Sequence, residues 1–409
     1  MSSPGATAYV IFTALSVVTL KELNAEVTEP YMDEPFHVPQ VQAYCNGDWS
    51  YWDPKITTPP GLYVYTMILK TLFLFKCKLP TLRLAPLLTL LLLPFALTRL
   101  ICFHKRIRTP PSAFTPTLDA VVAAAFPISW FFGLLYYTEV PGLLSVVLTI
   151  AAATQGNHWL AGLLGLVSCT FRQTNVVWVL YAYAVSQLMY LRFRRPAPNE
   201  APLAKLFDPP ALSAAPSDIL RLIASAPKVL PDILPAFLPY AGKGGAHKLF
   251  KEVMARMFAT RGRVLVTLVL SAVMVATVKL FTIHHPFLLS DNRHYTFYVW
   301  RRIFMLHPIV PYLFIPGYIA CAWAWFLRVG EEQTLLQTLL LPVCTLPILL
   351  PTPLLEPRYF LVPYILMRSQ VEMPTWALLT EGGWYAAINA VTMWVFLNME
   401  REGVGRFMW

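Results

Sequence analysis

Long apolar runs separated by short polar stretches set the pattern of this chain. Runs begin near Tyr9, Leu82, Leu118, Val140, Trp159, Val176, Val264, Ile303, Thr334, Tyr359 and Trp384. Many approach the roughly 20 apolar residues that a helix needs to cross a bilayer, so the pattern predicts about 11 transmembrane helices. Pro127, Pro311, Pro316, Pro342 and Pro347 fall inside these runs. Membrane helices tolerate proline where neighbouring groups satisfy the freed carbonyls. The first run, Ala6 to Leu20, has no basic stretch before it and no small-residue cleavage site after it, so it reads as an uncleaved first membrane helix and not as a signal peptide. No internal repeat is visible.

One polar segment interrupts this pattern early. Thr28 to Gly61 reads TEPYMDEPFHVPQVQAYCNGDWSYWDPKITTPPG and holds Glu29, Asp33, Glu34, Asp48 and Asp53, 5 of the chain's 22 acidic residues. It also holds His37, Tyr44, Trp49, Tyr51, Trp52 and several prolines. Composition sharpens the contrast. Of 409 residues, 56% are hydrophobic and only 13% charged, about half the charge of a soluble domain. The expected fold class is an all-α polytopic membrane protein forming one integral-membrane unit over residues 1–409. The net charge of +10 fits basic loops facing anionic lipid. No nucleic-acid motif accompanies it, so nucleic acid is excluded as a partner. The six cysteines contain no C-x-x-C pair and mostly border apolar runs; the pattern predicts neither a zinc site nor a disulfide framework.

Orientation follows from the basic stretches. The linker Arg99–Pro116 carries Lys105, Arg106 and Arg108, and residues 192–263 form a basic, Pro-rich segment. Positive loops are cytoplasmic. If the short apolar piece Gly61–Phe75, interrupted by Lys70, crossed the bilayer, both basic stretches would share a face with the acidic loop. If it instead lies in the interface, residues 21–75 become a lumenal loop plus interfacial helix, and both basic stretches become cytoplasmic. That second parse also gathers Tyr137-Thr138-Glu139, Arg172-Gln173-Thr174-Asn175, the basic loop 284–302 and Glu356-Pro357-Arg358 on the lumenal face.

Adjacent carboxylates point in different directions on either a helix or a strand. Asp33 and Glu34 therefore divide the labour of a general base and a loop-fixing group, against the bland alternative of a solvated acidic turn. His37 lies four residues after Asp33, on the same face if the piece is helical. Trp52-Asp53-Pro54 marks a turn, and aromatics beside acids suit a carbohydrate ring as well as they suit an interfacial belt. Between His284 and Arg302 the chain concentrates Asp291, Asn292, Arg293, His294, Tyr295 and Arg301. Lumenal arginines suit a phosphate held by planar forks, or equally a lipid headgroup. Arg172 and Arg358 border apolar runs, where a charge faces a cavity or an ion-pair partner, for Arg358 for example Glu356. His284-His285 cannot share a helical face, and D-x-D is absent, so no metal is expected.

The blocks EPYMDEPFHVPQ, YWDPKITTPPGLY, FFGLLYYTE, FRQTN, LLSDNRHYTFYVWRR, EPRYFLVPY and terminal RFMW, in this order from residue 29 to 409, resemble the dolichyl-phosphate-glucose-dependent α-1,2-glucosyltransferases of the endoplasmic reticulum. The resemblance implies a GT-C glycosyltransferase architecture with a lumenal catalytic loop after the first helix. It implies addition of the third, terminal glucose from dolichyl-phosphate glucose to the diglucosylated dolichyl-pyrophosphate oligosaccharide. No cofactor is implied. Inversion of a β-linked donor requires a single displacement with Asp33 as base and Glu34 as runner-up. Arg293, His294, Arg301 and Arg358 are then the phosphate ligands, and His37, Trp52, Asp53, Arg172, Asp291, Asn292 and Tyr295 the sugar or acceptor contacts. The chain departs from the family over Ala201–Arg263, which is short and Pro-rich where relatives carry further hydrophobic segments.

Two other classes fit a greasy chain with buried charge. A lipid or solute transporter or flippase would show inverted repeats and charges near the midplane; here no repeat is visible and the polar clusters sit in loops on one face. A non-catalytic subunit would not need basic groups opposite the acidic loop.

Overall fold

The computed structural model describes residues 3–105, 107, 114–193, 206–233, 261–281, 293, 295–330, 333–349, 356–400, 402 and 405–407. Its regular elements are helices, in two compact units. The first comprises Met1–Ala182, Pro357–Ser369 and Pro374–Met408; the second comprises Tyr183–Glu356 and Gln370–Met373.

The first unit opens with α1 (Pro4–Glu26), whose start is set by Pro4 at the first helical position and by the Ser3 hydroxyl accepting from the Ala6 N–H at 3.2 Å. Val10, Ile11, Leu15, Val17 and Val18 stay exposed on its outer side. There follow α2 (Glu34–Cys45), α3 (Gly61–Phe73), α4 (Leu79–Leu82), α5 (Leu84–His104), α6 (Leu118–Ala124), α7 (Pro127–Phe132), α8 (Glu139–Thr154), α9 (His158–Phe171) and α10 (Asn175–Phe193), whose residues from Tyr183 onward belong to the second unit. Helix α5 is the hub: it packs on α8 and α6, and α8 packs along α9. The run expected from Leu118 is broken, because Pro127 has no N–H to continue α6 and instead opens α7.

The second unit holds α11 (Pro216–Ile233), α12 (Arg261–Phe281), α13 (Tyr295–Val299), α14 (Val310–Leu313), α15 (Ile315–Gly330) and α16 (Leu335–Leu349). Ile315, Ile319, Trp323 and Leu327 form its core, against Val266, Met274 and Val278 of α12. The helix expected from Ile303 is corrected. Trp300–Phe304 is a π turn, Pro308 follows, and regular helix resumes only at Val310. Much of the basic segment 192–263 lies outside the described residues.

The chain re-enters the first unit with the turn Pro357–Phe360, α17 (Leu361–Ser369) and α18 (Thr375–Asn398). Helix α18 starts nine residues before the expected Trp384. Glu381 does not end it, since the carboxylate accepts from Arg368 Nε at 2.8 Å and from Tyr385 Oη at 2.8 Å. Arg368 also reaches Asp119 at 2.7 Å, which binds Lys105 at 2.7 Å. This cluster pins the C-terminal end of α17 to α6 and α18.

Among the described residues three helices are long and apolar enough to cross a membrane, Pro4–Glu26, Leu79–His104 and Val310–Gly330; Gly61–Phe73, Glu139–Thr154, His158–Phe171, Val264–Leu280 and Leu335–Leu349 are shorter and apolar. One cysteine expectation is overturned. Cys45 and Cys77 are disulfide-bonded, with Cα atoms 6.5 Å apart. Thirty-two positions separate them in sequence, and only the return of the chain after α3 brings them together.

Helix α3 approaches α9 closely at Gly61. A Cβ there would stand 2.4 Å from Thr170 Oγ1 and 2.5 Å from Thr170 O. Gly61→Ala is therefore expected to cost about 1–3 kcal/mol of stability by forcing the two backbones apart, read as a lowered thermal unfolding temperature of the purified chain.

Candidate active site

The polar residues of the first unit converge where α1 ends and α2 begins. Met32 turns the chain with φ 58°, a left-handed conformation uncommon for a non-glycine residue. Asp33 then occupies the N-cap of α2, yet its side chain makes no capping bond. Capping by Asp stabilises a helix by roughly 0.5–2 kcal/mol, and here that contribution is forgone. The carboxylate instead accepts from Arg358 Nη1 at 2.7 Å, with 40% of the side chain exposed. Its backbone N–H donates to the Tyr137 hydroxyl.

Glu34 has the opposite environment and is fully buried. Its Oε1 accepts from Arg83 Nε at 2.9 Å and from the Tyr136 N–H at 2.7 Å; its Oε2 accepts from Arg83 Nη2 at 2.6 Å and from the Tyr31 N–H at 3.0 Å. Arg83 Nη1 donates to Val27 O at 2.8 Å and Asn24 Oδ1 at 3.1 Å. One bidentate pair thus ties the end of α1, the start of α2, the entry to α5 and the α7–α8 connection.

A second carboxylate completes the charged row. Glu139, first residue of α8, accepts from Arg172 Nη1 at 2.7 Å, and the same oxygen lies 3.6 Å from Arg358 Nη1. Asp33, Arg358, Glu139 and Arg172 therefore alternate in sign. The rings of Phe132, Tyr137 and Tyr359 surround the Arg358 guanidinium at 5.9, 5.8 and 5.8 Å, and Arg172 lies over Tyr359 at 5.4 Å. Such faces hold a guanidinium without neutralising it.

His37 sits one turn along α2 from Asp33, with Nδ1 2.6 Å from the Tyr63 hydroxyl. Burial pushes its pKa below the ordinary histidine value, against the opposing pull of the Asp33 and Glu139 charges. Gln40, also fully buried, binds the aromatic turn with both ends of its amide: Nε2 donates to Tyr51 O at 2.7 Å, and Oε1 accepts from the Asp53 N–H at 2.9 Å. Asp48 accepts from the Ser50 hydroxyl at 2.7 Å, a bond that holds its carboxyl below the usual range. Trp49, Tyr51 and Trp52 remain exposed on this braced turn, Trp52 edge-on to Tyr63.

Of the residues singled out in the sequence, Asp33, Glu34, His37, Trp52, Asp53, Arg172 and Arg358 belong to the first unit. The charged row joins Asp33, Arg358 and Arg172. Arg293, Tyr295 and Arg301 belong to the second unit, where Arg301 lies over Phe297 at 5.6 Å. Asp291, Asn292 and His294 lie outside the described residues. Sequence reasoning missed Arg83, whose signal was a lone cation inside the apolar run TLRLAP, and gave no separate role to Glu139 or Gln40. Chemically, the arrangement offers a half-exposed carboxylate able to accept a proton, beside guanidiniums able to face an anion.

Described residues that are helical throughout their regular elements, with several apolar helices and three long enough to cross a membrane, define a polytopic membrane protein. The family model for the DIE2/ALG10 family matches residues 27–250 and 244–369, and the chain belongs to that family. It is 30% identical to a mouse protein, over 97% of this chain and 96% of the relative, 29% identical to a human one with the same coverage, and 28% identical to one from Arabidopsis thaliana over 99% and 100%. Each is named Dol-P-Glc:Glc(2)Man(9)GlcNAc(2)-PP-Dol alpha-1,2-glucosyltransferase. The mouse alignment has 460 positions against a chain of 409 residues, leaving at least 51 opposite gaps. No solved structure matches the chain.

Proposed function

We propose that this chain is the glucosyltransferase that moves glucose from dolichyl-phosphate glucose to the diglucosylated dolichyl-pyrophosphate oligosaccharide, forming the terminal α-1,2 linkage on the lumenal face of the endoplasmic reticulum. The observation that carries the reading is Asp33: a half-exposed carboxylate at a helix start, free of its capping role and held 2.7 Å from Arg358. The names of the family's curated members supply donor and acceptor.

In this reading the acceptor glucose presents its 2-hydroxyl to Asp33. The carboxylate takes the proton as the oxygen attacks the anomeric carbon from the face opposite the leaving phosphate. Configuration inverts in one displacement. Charge grows on the departing dolichyl phosphate, and Arg358 offsets it. Glu34, with both oxygens occupied, holds the loop in place of acting as base. His37, Trp52, Asp53 and Arg172 line the sugars. The phosphate roles of Arg293 and His294, with Arg301, and the sugar roles of Asp291, Asn292 and Tyr295, rest on the block LLSDNRHYTFYVWRR alone. The GT-C architecture with about 11 crossings is likewise part of the proposal.

The test supplies both lipid substrates to membranes carrying the full chain. Triglucosylated product is expected. Movement of the donor lipid across the membrane with no product would favour a flippase instead.

A further inference from the structure

The Cys45–Cys77 bond has no part in the chemistry above. Cys45 is the last residue of α2, the helix that presents Asp33 at its other end and Gln40 in its middle. Cys77 lies two residues before α4, which leads to Arg83 at the entry of α5. The same junction carries two hydrogen bonds, Lys70 Nζ to Cys45 O at 2.7 Å and Gln42 Nε2 to Cys77 O at 3.0 Å. Between the cysteines runs α3, only 13 residues long. At ~1.5 Å per residue it spans about 20 Å, short of the ~30 Å hydrocarbon core. One side of α3 is buried through Leu62, Tyr63, Thr66 and Leu69, and the other exposes Val64, Ile68 and Leu72.

We propose that this disulfide forms on the lumenal face and closes the loop that carries the candidate base, with α3 returning to the face it left. A crossing α3 would separate the cysteines by about the ~30 Å bilayer core, whereas their Cα atoms stand 6.5 Å apart. Disulfides persist in the endoplasmic reticulum lumen and are rare in the cytosol. Both cysteines therefore share the oxidising side, a placement reached independently of the count of basic residues. Forming the bond removes one proton and one electron from each thiol. A disulfide-bearing oxidoreductase of that compartment accepts them and becomes a dithiol. The clamp matters to catalysis because α2 is then fixed at both ends, by Glu34–Arg83 and by the disulfide, with the base at its first turn. That last point rests on the proposed glucosyltransferase reading; the bond and the topology do not.

The test counts thiols on the full chain in membranes. After denaturation a maleimide mass tag should add to four cysteines without reductant and to all six with it. Six tags without reductant overturn the bond. Cys45→Ser and Cys77→Ser, each made with the other four cysteines replaced, leave one reporter thiol apiece. In sealed vesicles an impermeant maleimide should label neither until the membrane is opened. Labelling of Cys77 from the cytoplasmic side overturns the returning α3. For the clamp, both single variants and the double should lose transfer rate equally, about 10- to 100-fold, as small misplacements of a reacting group do. Since a variant can fail to fold, wild-type membranes are also assayed before and after a dithiol reductant, with recovery on reoxidation. Unchanged rates throughout overturn the clamp. If wild type makes no product while tag counts and sidedness hold, the glucosyltransferase reading fails and the lumenal bond stands.

Discussion

Asp33→Asn is expected to lower glucosyl transfer by about 100- to 10,000-fold, the range that a positioned general base supplies. Asparagine keeps the shape of the side chain and leaves the backbone bond from residue 33 to Tyr137 in place. It removes the negative charge and the capacity to take a proton. Because the Asp33 side chain is 40% exposed, losing its pairing with Arg358 should cost no more than about 1 kcal/mol of stability. The fall in rate then reflects chemistry and not unfolding. It should appear in kcat, with the donor KM little changed, since a base contributes in the transition state and not to binding of the ground state. Glu34 cannot take over, as four donors already occupy its two oxygens and no water reaches it. The assay is conversion of the diglucosylated lipid-linked glycan with saturating dolichyl-phosphate glucose. A variant as fast as wild type would remove Asp33 from the role of base.

Polar residues in a greasy chain announce themselves, and that is why Asp33, His37, Arg172 and Arg358 are legible as candidates in the sequence. Asp33 and His37 fall in the one long polar segment near the start of the chain, and Arg172 and Arg358 border apolar runs, where a charge needs a reason. The starts of α6, α8, α9 and α10 were legible for the same cause, to within a residue. What a linear pattern does not carry is partnership. Arg358 pairs with Asp33 across 325 positions and Arg83 with Glu34 across 49, and no spacing rule links them. The Cys45–Cys77 disulfide escapes the sequence for this reason too: no spacing rule pairs two cysteines 32 positions apart. The last helix differs in the opposite way: the apolar pattern starts it near Trp384, whereas it begins at Thr375, because Arg368 and Tyr385 satisfy Glu381 inside α18. Roles also separate only in three dimensions. Asp33 and Glu34 are neighbours of similar chemistry, and burial makes Glu34 an anchor while the Asp33 side chain stays 40% exposed.

The anchor supplies the largest expected effect on stability. Arg83→Met should destabilise the chain by about 3–5 kcal/mol, because it leaves the Glu34 carboxylate buried without its cation. Arg83 and Glu34 both have 0% exposed side chains, so no solvent can replace the lost partner. Replacing Glu34 alone by Leu should cost a similar amount, this time by stranding the guanidinium and the Tyr31 and Tyr136 N–H groups. The double variant distinguishes a charge pair from two independent losses. With both charges gone the Coulombic penalty disappears, and the two orphaned N–H groups remain at about 1–3 kcal/mol each. The double should therefore be less damaged than the sum of the singles, with a coupling of about 0.5–3 kcal/mol, the usual range for residues in contact. Arg83→Lys should fall between, since an ammonium keeps the charge and loses the fork that spans Glu34, Val27 and Asn24. Unfolding of a membrane chain is irreversible in practice, so the variants are compared in detergent as inactivation temperatures at one fixed scan rate. Strict additivity, or an Arg83→Met variant as stable as wild type, would show that the pair does not hold the loop. Activity at temperatures where each variant remains folded separates the two functions of this corner. If Glu34 only positions Asp33, Arg83→Lys loses less rate than Asp33→Asn.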